Sequence, residues 1–406
     1  MISFLLLVAI LVEASHAWIH AMEVPQICAT YFNFTNTNQS NTFYGVLNEE
    51  TGTFRTKSNL GYRVDPQGRI AIGMDSFSFT VTGNKTADEG FVGCCDEYSI
   101  LTVNKTTGSF EIASMDPKSP FGPGSEQCGK YGCGIMQLAS LDDDNMIVWI
   151  EPQIPPAPPT TTTTNTTSTK SNPNLEGLSL GTFDVHTYAF SLLFFFALVH
   201  THTHTHNSGI INPIRPFVVN LENTNATTPM DAGMTAYDRV QKNFWFACNP
   251  RGNFDVEGVC AYPATKSNET SAEMTVLEFP TKTYTINSIG FSEALKGVVV
   301  LAQTYNATSA LQLQSTKLFF ADPSKPNAKE WDIIVDLGDA RNSLHQGTIS
   351  PCGRFYIVAL EVGTKNEKYP AQDVVMIDLV KKTILKRVHA QHTEIDISVL
   401  SAFTCM

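Results

Sequence analysis

Ser350-Pro351-Cys352-Gly353-Arg354-Phe355-Tyr356-Ile357-Val358-Ala359-Leu360 is a tight polar turn that runs straight into β-branched and aromatic residues. Proline and glycine within four residues mark a turn, and the apolar run behind them has the composition of a buried strand. The same arrangement recurs upstream. Asp65-Pro66-Gln67-Gly68 precedes residues 69–74, and Asp142-Asp143-Asp144-Asn145 precedes 146–150. Residues 238–243 precede 244–248, and 292–297 precede 298–302. Second hairpins, with turns rich in Asn, Asp, Thr, Lys or Gly, are expected at 43–56, 99–113, 274–286, 317–337 and 373–388. Helical periodicity is nearly absent.

A repeated four-strand unit cannot bury its own faces, so copies must stack, and a closed ring of them is a β-propeller. Residues 43–56 have no first half before them, and 394–404 form a strand pattern with no second half after it. Joined, the two chain ends make one mixed blade that closes the ring and hides its edges. The expectation is an all-β propeller of about six four-stranded blades, with seven as the alternative count. A pair of two-sheet sandwiches is the competing fold.

Ser350 to Val358, followed by Val374-Val375-Met376-Ile377-Asp378-Leu379, resembles a blade of the YVTN or quinoprotein amine dehydrogenase-like propellers. The resemblance is a pattern of strands and turns over most of 27–150 and 213–404. It implies the ring and carries no catalytic residues with it.

The chain begins with an export-type segment. Residues 2–12 are apolar apart from Ser3, and Ser15-His16-Ala17 supplies small residues for cleavage after Ala17. Eleven residues are too short to span a bilayer, so no membrane span is expected in the mature chain. Eight Asn-X-Ser/Thr triplets open at Asn33, Asn38, Asn84, Asn104, Asn165, Asn225, Asn268 and Asn306. They are expected N-glycosylation sites of a secreted, extracellular protein.

Nine cysteines in an oxidising compartment should mostly pair. Cys94, Cys95, Cys128 and Cys133 bracket a Gly/Pro-rich loop, Cys248 and Cys260 bracket 249–259, and Cys28 and Cys405 lie near opposite chain ends. That leaves Cys352 odd. The blades are expected in two stretches, 18–150 and 213–406, parted by an insertion at 151–212. The insertion is Pro/Thr-rich and cannot build a core. Within it, an apolar run at 190–199 leads into His200, His202, His204 and His206 alternating with Thr. Those histidines could share a strand face and bind a transition metal. A CA dinucleotide repeat also translates as His-Thr-His-Thr, so 185–208 reads as a retained intron or a gene-model error.

The 406 residues carry a net charge of −12 with no basic stripe, which excludes a nucleic-acid partner. Phosphate loops, zinc-protease motifs and nucleophile elbows are absent from the sequence. Asp142, Asp143 and Asp144 are candidate Ca²⁺ ligands, although clustered Asp side chains commonly bond their own turn backbone. Asp336, Asp339 and Arg341, with His345 nearby, are candidates for a carboxylate–histidine acid–base group. Trp149, Trp245 and Trp331 could line a sugar-binding face, though packing between blades is the commoner use. Lys381-Lys382 and Lys386-Arg387 flank the last hairpin as a solvated edge. Together these readings point to a secreted module that binds an extracellular protein or glycan. A metal-dependent propeller hydrolase of lactonase or esterase type and a structural matrix or surface protein are the alternatives.

Overall fold

The computed structural model describes residues 25–33, 42–61, 63–64, 70–73, 75–82, 99–115, 133–140, 145–152, 179–184, 207–209, 211–215, 228–229, 235–250, 256–263, 275–280, 284–304, 315–339, 341–342, 347–362, 371–390 and 395–402. They form an all-β propeller. Five blades have described side chains. Blade 1 orders its strands Ile395–Ala402, Ile27–Asn33, Thr42–Asn48 and Thr53–Asn59 from the inside outward. Blade 2 has Ser76–Thr82, Ser99–Asn104 and Phe110–Met115, with short inner strands Arg63–Val64 and Ile70–Ile72 and a parallel outer strand, Asn207–Gly209. Blade 3 runs Thr235–Asp238, Asn243–Asn249, Gly258–Pro263 and Thr275–Glu278, with Thr228–Pro229 also on its second strand. Blade 4 is Tyr284–Ser292, Gly297–Thr304, Ser315–Ala321 and Asp332–Asp339. Blade 5 is Phe355–Val362, Ala371–Asp378 and Thr383–Ala390, with short inner strands Arg341–Asn342 and Thr348–Ile349.

These five blades, mostly of three or four principal strands, stand against the six or seven expected. A further four-stranded sheet, Cys133–Ser140, Asn145–Pro152, Ser179–Asp184 and Ile211–Arg215, is described in its backbone only. Its first strand lies beside both Ile70–Ile72 and Thr235–Asp238, and so between blades 2 and 3. The closing pair forms: Ile27–Asn33 runs antiparallel to Ile395–Ala402, with Cys28 opposite Ser401. The hairpin expected at 274–286 does not form. Thr275–Glu278 is the outer strand of blade 3 and Tyr284–Ser292 the inner strand of blade 4, so Pro280 marks a junction between blades.

Alternation along each central strand divides its side chains between two neighbouring blades. In Gly297–Thr304, Val298, Val300 and Ala302 pack with Trp245, Leu277 and Trp331 toward blade 3. Val299 and Leu301 pack with Tyr356, Val358 and Ile377 toward blade 5. In Phe355–Val362, Phe355, Ile357 and Ala359 join Ile27, Leu47 and Ile397 of blade 1. Cys28, Tyr44 and Val46 meet Phe77, Phe79, Leu101 and Val103 of blade 2. Both faces of these strands are buried, which is why they read as unbroken apolar runs. The core is therefore a series of seams between blades.

Polar anchors fix the seams. Tyr356 is fully buried, and its hydroxyl donates to Ser288 Oγ, which donates to the Gly347 carbonyl. Burial raises the Tyr356 phenol above its ordinary value, with the Ser288 contact opposing in part. Tyr44 donates to the Lys105 carbonyl across the seam between blades 1 and 2, at 2.6 Å. Lys105 is itself 1% exposed and donates its ammonium to the Gly73 carbonyl.

One turn recurs in all five blades. Asn48, Asn104, Asp238, Ser292 and Asp378 each accept, through a side-chain oxygen, from backbone N–H groups two or three residues on. Four residues after each cap the backbone is left-handed, at Gly52, Gly108, Lys242, Lys296 and Lys382. The lysine φ angles are 57°, 57° and 55°, a conformation costing an L-residue roughly 1 kcal/mol or more. Asp378 also holds Arg354 at 2.8 Å with its own side chain 1% exposed. Burial pushes its carboxyl up, but Arg354 and the turn N–H groups outweigh that and hold it below the ordinary value.

A Cβ added at Gly347 would lie 1.9 Å from the Tyr356 hydroxyl oxygen inside a filled seam. Gly347→Ala should destabilise the ring by about 2 kcal/mol or more, read as a lower urea midpoint with an unchanged slope.

Candidate functional site

Antiparallel alternation gives the ring two different rims. The turns after first strands and after third strands lie on one rim; the connections after second strands and between blades leave from the other. The second rim brings together the polar side chains that come nearest to a site. Glu257, just before the third strand of blade 3, crosses to blade 4 and accepts the Ile286 N–H at 2.6 Å. Burial pushes the Glu257 carboxyl above its ordinary value, and the Ile286 N–H pulls it partly back. Asn287, next to Ile286 at a register shift, donates to Gln303 at 2.8 Å, and Gln303 donates to Thr316 at 3.1 Å. Lys317 faces the Tyr284 ring and pairs with Asp336 at 3.3 Å. Its hydrogen bond to Tyr284 raises the ammonium's pKa, with Asp336 adding to the effect.

Blade 5 repeats part of this arrangement. Gln372 accepts the N–H of Ile397 from the closing strand at 3.3 Å, again next to a register shift. The neighbouring Asp373 contacts His389 Nδ1 at 2.9 Å and lies 3.9 Å from Arg387. The carboxylate side chain is 11% exposed and the imidazole 60%. A buried carboxylate orienting an exposed imidazole is the geometry of a general base. Among the described residues, Asp373 is the partner His389 is bonded to, and no hydroxyl nucleophile joins the pair.

The expected site residues fall out as follows. Asp142, Asp143 and Asp144 lie outside the described residues, as does His345. Among the described residues no group of three or more His, Cys, Asp or Glu side chains could hold a metal ion. Asp336 pairs with Lys317 and accepts from the Gly338 N–H; Asp339 and Arg341 are described in backbone only. Trp245 and Trp331 sit in the seam between blades 3 and 4, Trp245 stacked on Phe291. They face no solvent-lined surface; Trp149 is described in backbone only. Asn104 caps its turn, accepting from Thr106 and Thr107. Asn33 ends a strand, and Asn38, Asn84, Asn165, Asn225, Asn268 and Asn306 lie outside the described residues.

The cysteines part company with expectation in two places. Cys248 and Cys260 form the expected disulfide, closing the connection that carries Glu257. Cys28, expected to bond Cys405, is a buried thiol against Tyr44. Cys352, expected to be odd, is disulfide-bonded. Cys94, Cys95, Cys128 and Cys405 lie outside the described residues, and Cys133 is described in backbone only. Sequence reasoning missed Glu257, Gln372 and Asp373–His389; a polar residue at the start of each third strand was the available signal.

No family model and no curated protein matches the chain. Among solved structures it is similar to TolB from Acinetobacter baumannii, at 10% identity and a TM-score of 0.47, over 94% of this chain and 67% of that one. It is similar also to a putative 6-phosphogluconolactonase from Bacteroides uniformis, at 10% identity and a TM-score of 0.41, over 93% and 100%. An oligogalacturonate lyase from Vibrio parahaemolyticus follows at 10% identity and 0.38, over 89% and 78%. Nothing about activity is carried across from them.

Because the Glu257 pKa is raised on folding, its contribution to stability is greatest below the ordinary carboxylate value of 4.5 and declines as pH rises through the folded value. Glu257→Gln keeps an acceptor for Ile286 without the charge. It should be at least as stable as the parent at pH 8 and show a flatter stability–pH curve. Glu257→Ala orphans the Ile286 N–H and should cost about 1–3 kcal/mol at every pH. Denaturation of both variants at pH 4 and pH 8 checks this.

Proposed function

We propose that the protein is a secreted, N-glycosylated propeller that binds an extracellular protein or glycan through a rim of the ring. The observation that carries the reading is the Cys248–Cys260 disulfide, which clamps a rim connection onto the seam between blades 3 and 4. Disulfides persist in oxidising compartments, and the sequence opens with an export-type segment. A rigid ring that presents many connections from one face is a scaffold for recognition. The blade pattern from Ser350 supports grouping the ring with YVTN or amine dehydrogenase-like propellers. The hydrolase reading would need a metal on the ring axis, held by oxygen or imidazole ligands from several different blades.

Expression of the full chain in a eukaryotic secretory host tests the proposal. The medium should contain a chain starting at Trp18, with Cys248–Cys260 oxidised and a mass that falls on enzymatic removal of N-glycans. Retention inside the cell with these cysteines reduced would overturn it. Near-stoichiometric Ca²⁺ after exhaustive dialysis would favour the hydrolase instead.

A further inference from the structure

The turn rim carries a feature that the ring does not need. In blades 1 and 2 the left-handed position of the recurring turn is filled by Gly52 and Gly108, for which that conformation is unstrained. In blades 3 and 4 the left-handed residue of the hairpin between first and second strands is Lys242 and Lys296. In blade 5 that of the hairpin between third and fourth strands is Lys382; both kinds of hairpin lie on the same rim. Left-handed backbone suits glycine, and asparagine or aspartate next; Lys382 pairs with Asp332 there, whereas Lys242 and Lys296 make no described ion pair. All three lysine side chains are exposed, and all three project from the same rim.

The surrounding charges reinforce them. Arg239, Lys325 and Lys381 lie in connections of the same rim, the last with an exposed side chain beside Lys382. Glu293 is turned to Arg239, Asp322 to Lys325 and Asp332 to Lys382, so these carboxylates are engaged. Glu330 is an exposed carboxylate on the same connection as the exposed Lys329. Among the described residues Lys242, Lys296 and Lys381 make no ion pair. A chain with net charge −12 thus presents, on the tips of three adjacent blades, lysines outside any described ion pair, Lys242, Lys296 and Lys381, with Lys382 paired to Asp332 beside them.

We propose that the turn rim of blades 3 to 5 docks a polyanionic glycan, a polysaccharide bearing sulfate or carboxylate groups along its length. The inference rests on the extracellular binding reading and names the partner class. Cations spaced on separate blade tips match an extended chain whose charge repeats, more than a compact ligand that needs a pocket. Left-handed strain accepted in three turns of one rim, each placing a cation there, is a mark of function at those positions.

The test uses the full secreted chain, with immobilised dextran sulfate as probe and unsulfated dextran as control, in roughly 0.15 M salt. The parent should bind dextran sulfate and not dextran, with affinity falling steeply as salt rises. The triple substitution K242G/K296G/K382G should weaken binding at least roughly tenfold. Its thermal midpoint should stay within about 3 °C of the parent, since relief of strain and gain of unfolded-chain freedom oppose each other. K242N/K296N/K382N, which also tolerates the conformation, should behave alike and covers a failure of the glycine variant to fold. A parent that passes through dextran sulfate, or a triple variant that binds as tightly as the parent, overturns the proposal. Binding confined to anionic lipid vesicles overturns it too. Binding to a neutral glycan or a purified extracellular protein, unchanged in the triple variant, sinks the rim assignment and leaves the binding module standing. Failure of export sinks the module itself.

Discussion

The seam between neighbouring blades is the constraint on which the rest of the structure depends. A blade of three or four strands has two apolar faces and no interior, so its stability exists only in contact with two neighbours. Apolar packing supplies the attraction, but it does not by itself set how one blade sits against the next. That is set where the inner strand slips register. Next to each slip a backbone N–H, of Ile286 or of Ile397, is met by a side chain reaching over from the preceding blade. One acceptor is a carboxylate, Glu257, and the other a neutral amide, Gln372. The amide does the work without desolvating a charge, whereas burial shifts the Glu257 carboxyl upward.

The closing blade is the most exposed point of this design. Its inner strand comes from the C-terminal end and its other three from the N-terminal end, so the ring closes only by pairing residues far apart in sequence. Gln372 holds that inner strand from blade 5, and Lys386 of blade 5 pairs with Glu49 in the outer turn of blade 1. Closure is thus held at both rims as well as through the Ile27, Phe355 and Ile397 core.

Much of this was legible from local chemistry. Polar turns before β-branched runs located the second strands in four places, but the run at 69–74 holds a short inner strand, Ile70–Ile72, and the second strand of that blade is Ser76–Thr82. The incomplete units at the two ends implied the mixed closing blade. Legibility failed where the decisive partner was distant. Pro280–Thr281–Lys282 looks like a hairpin turn, yet it joins two blades, because turn chemistry alone does not say whether the next strand folds back or moves on. Glu257 and Ile286 are separated by 29 residues and join different blades, so no spacing rule links them. Asp336 was grouped with His345 by proximity in sequence, whereas cross-strand register sets it against Lys317. Cys28 is a thiol and Cys352 is disulfide-bonded, the reverse of the roles that position along the chain suggested.

The ring also separates positions by what a substitution costs. Val298 to Leu301 alternate between two seams, so enlarging or truncating any of them disturbs a packed interface, typically by a few kcal/mol. At the turns, the left-handed lysines Lys242, Lys296 and Lys382 are exposed. A left-handed lysine there costs roughly 1 kcal/mol, a small fraction of what burial in the seams supplies. A propeller can therefore hold mildly strained, charged residues at blade tips without losing its fold, while the same residues in a strand would open the ring. Chemistry that faces a partner is for this reason expected at the rims, and residues that look reactive within the strands, such as Trp245 and Tyr356, are part of the packing that keeps the rims in place.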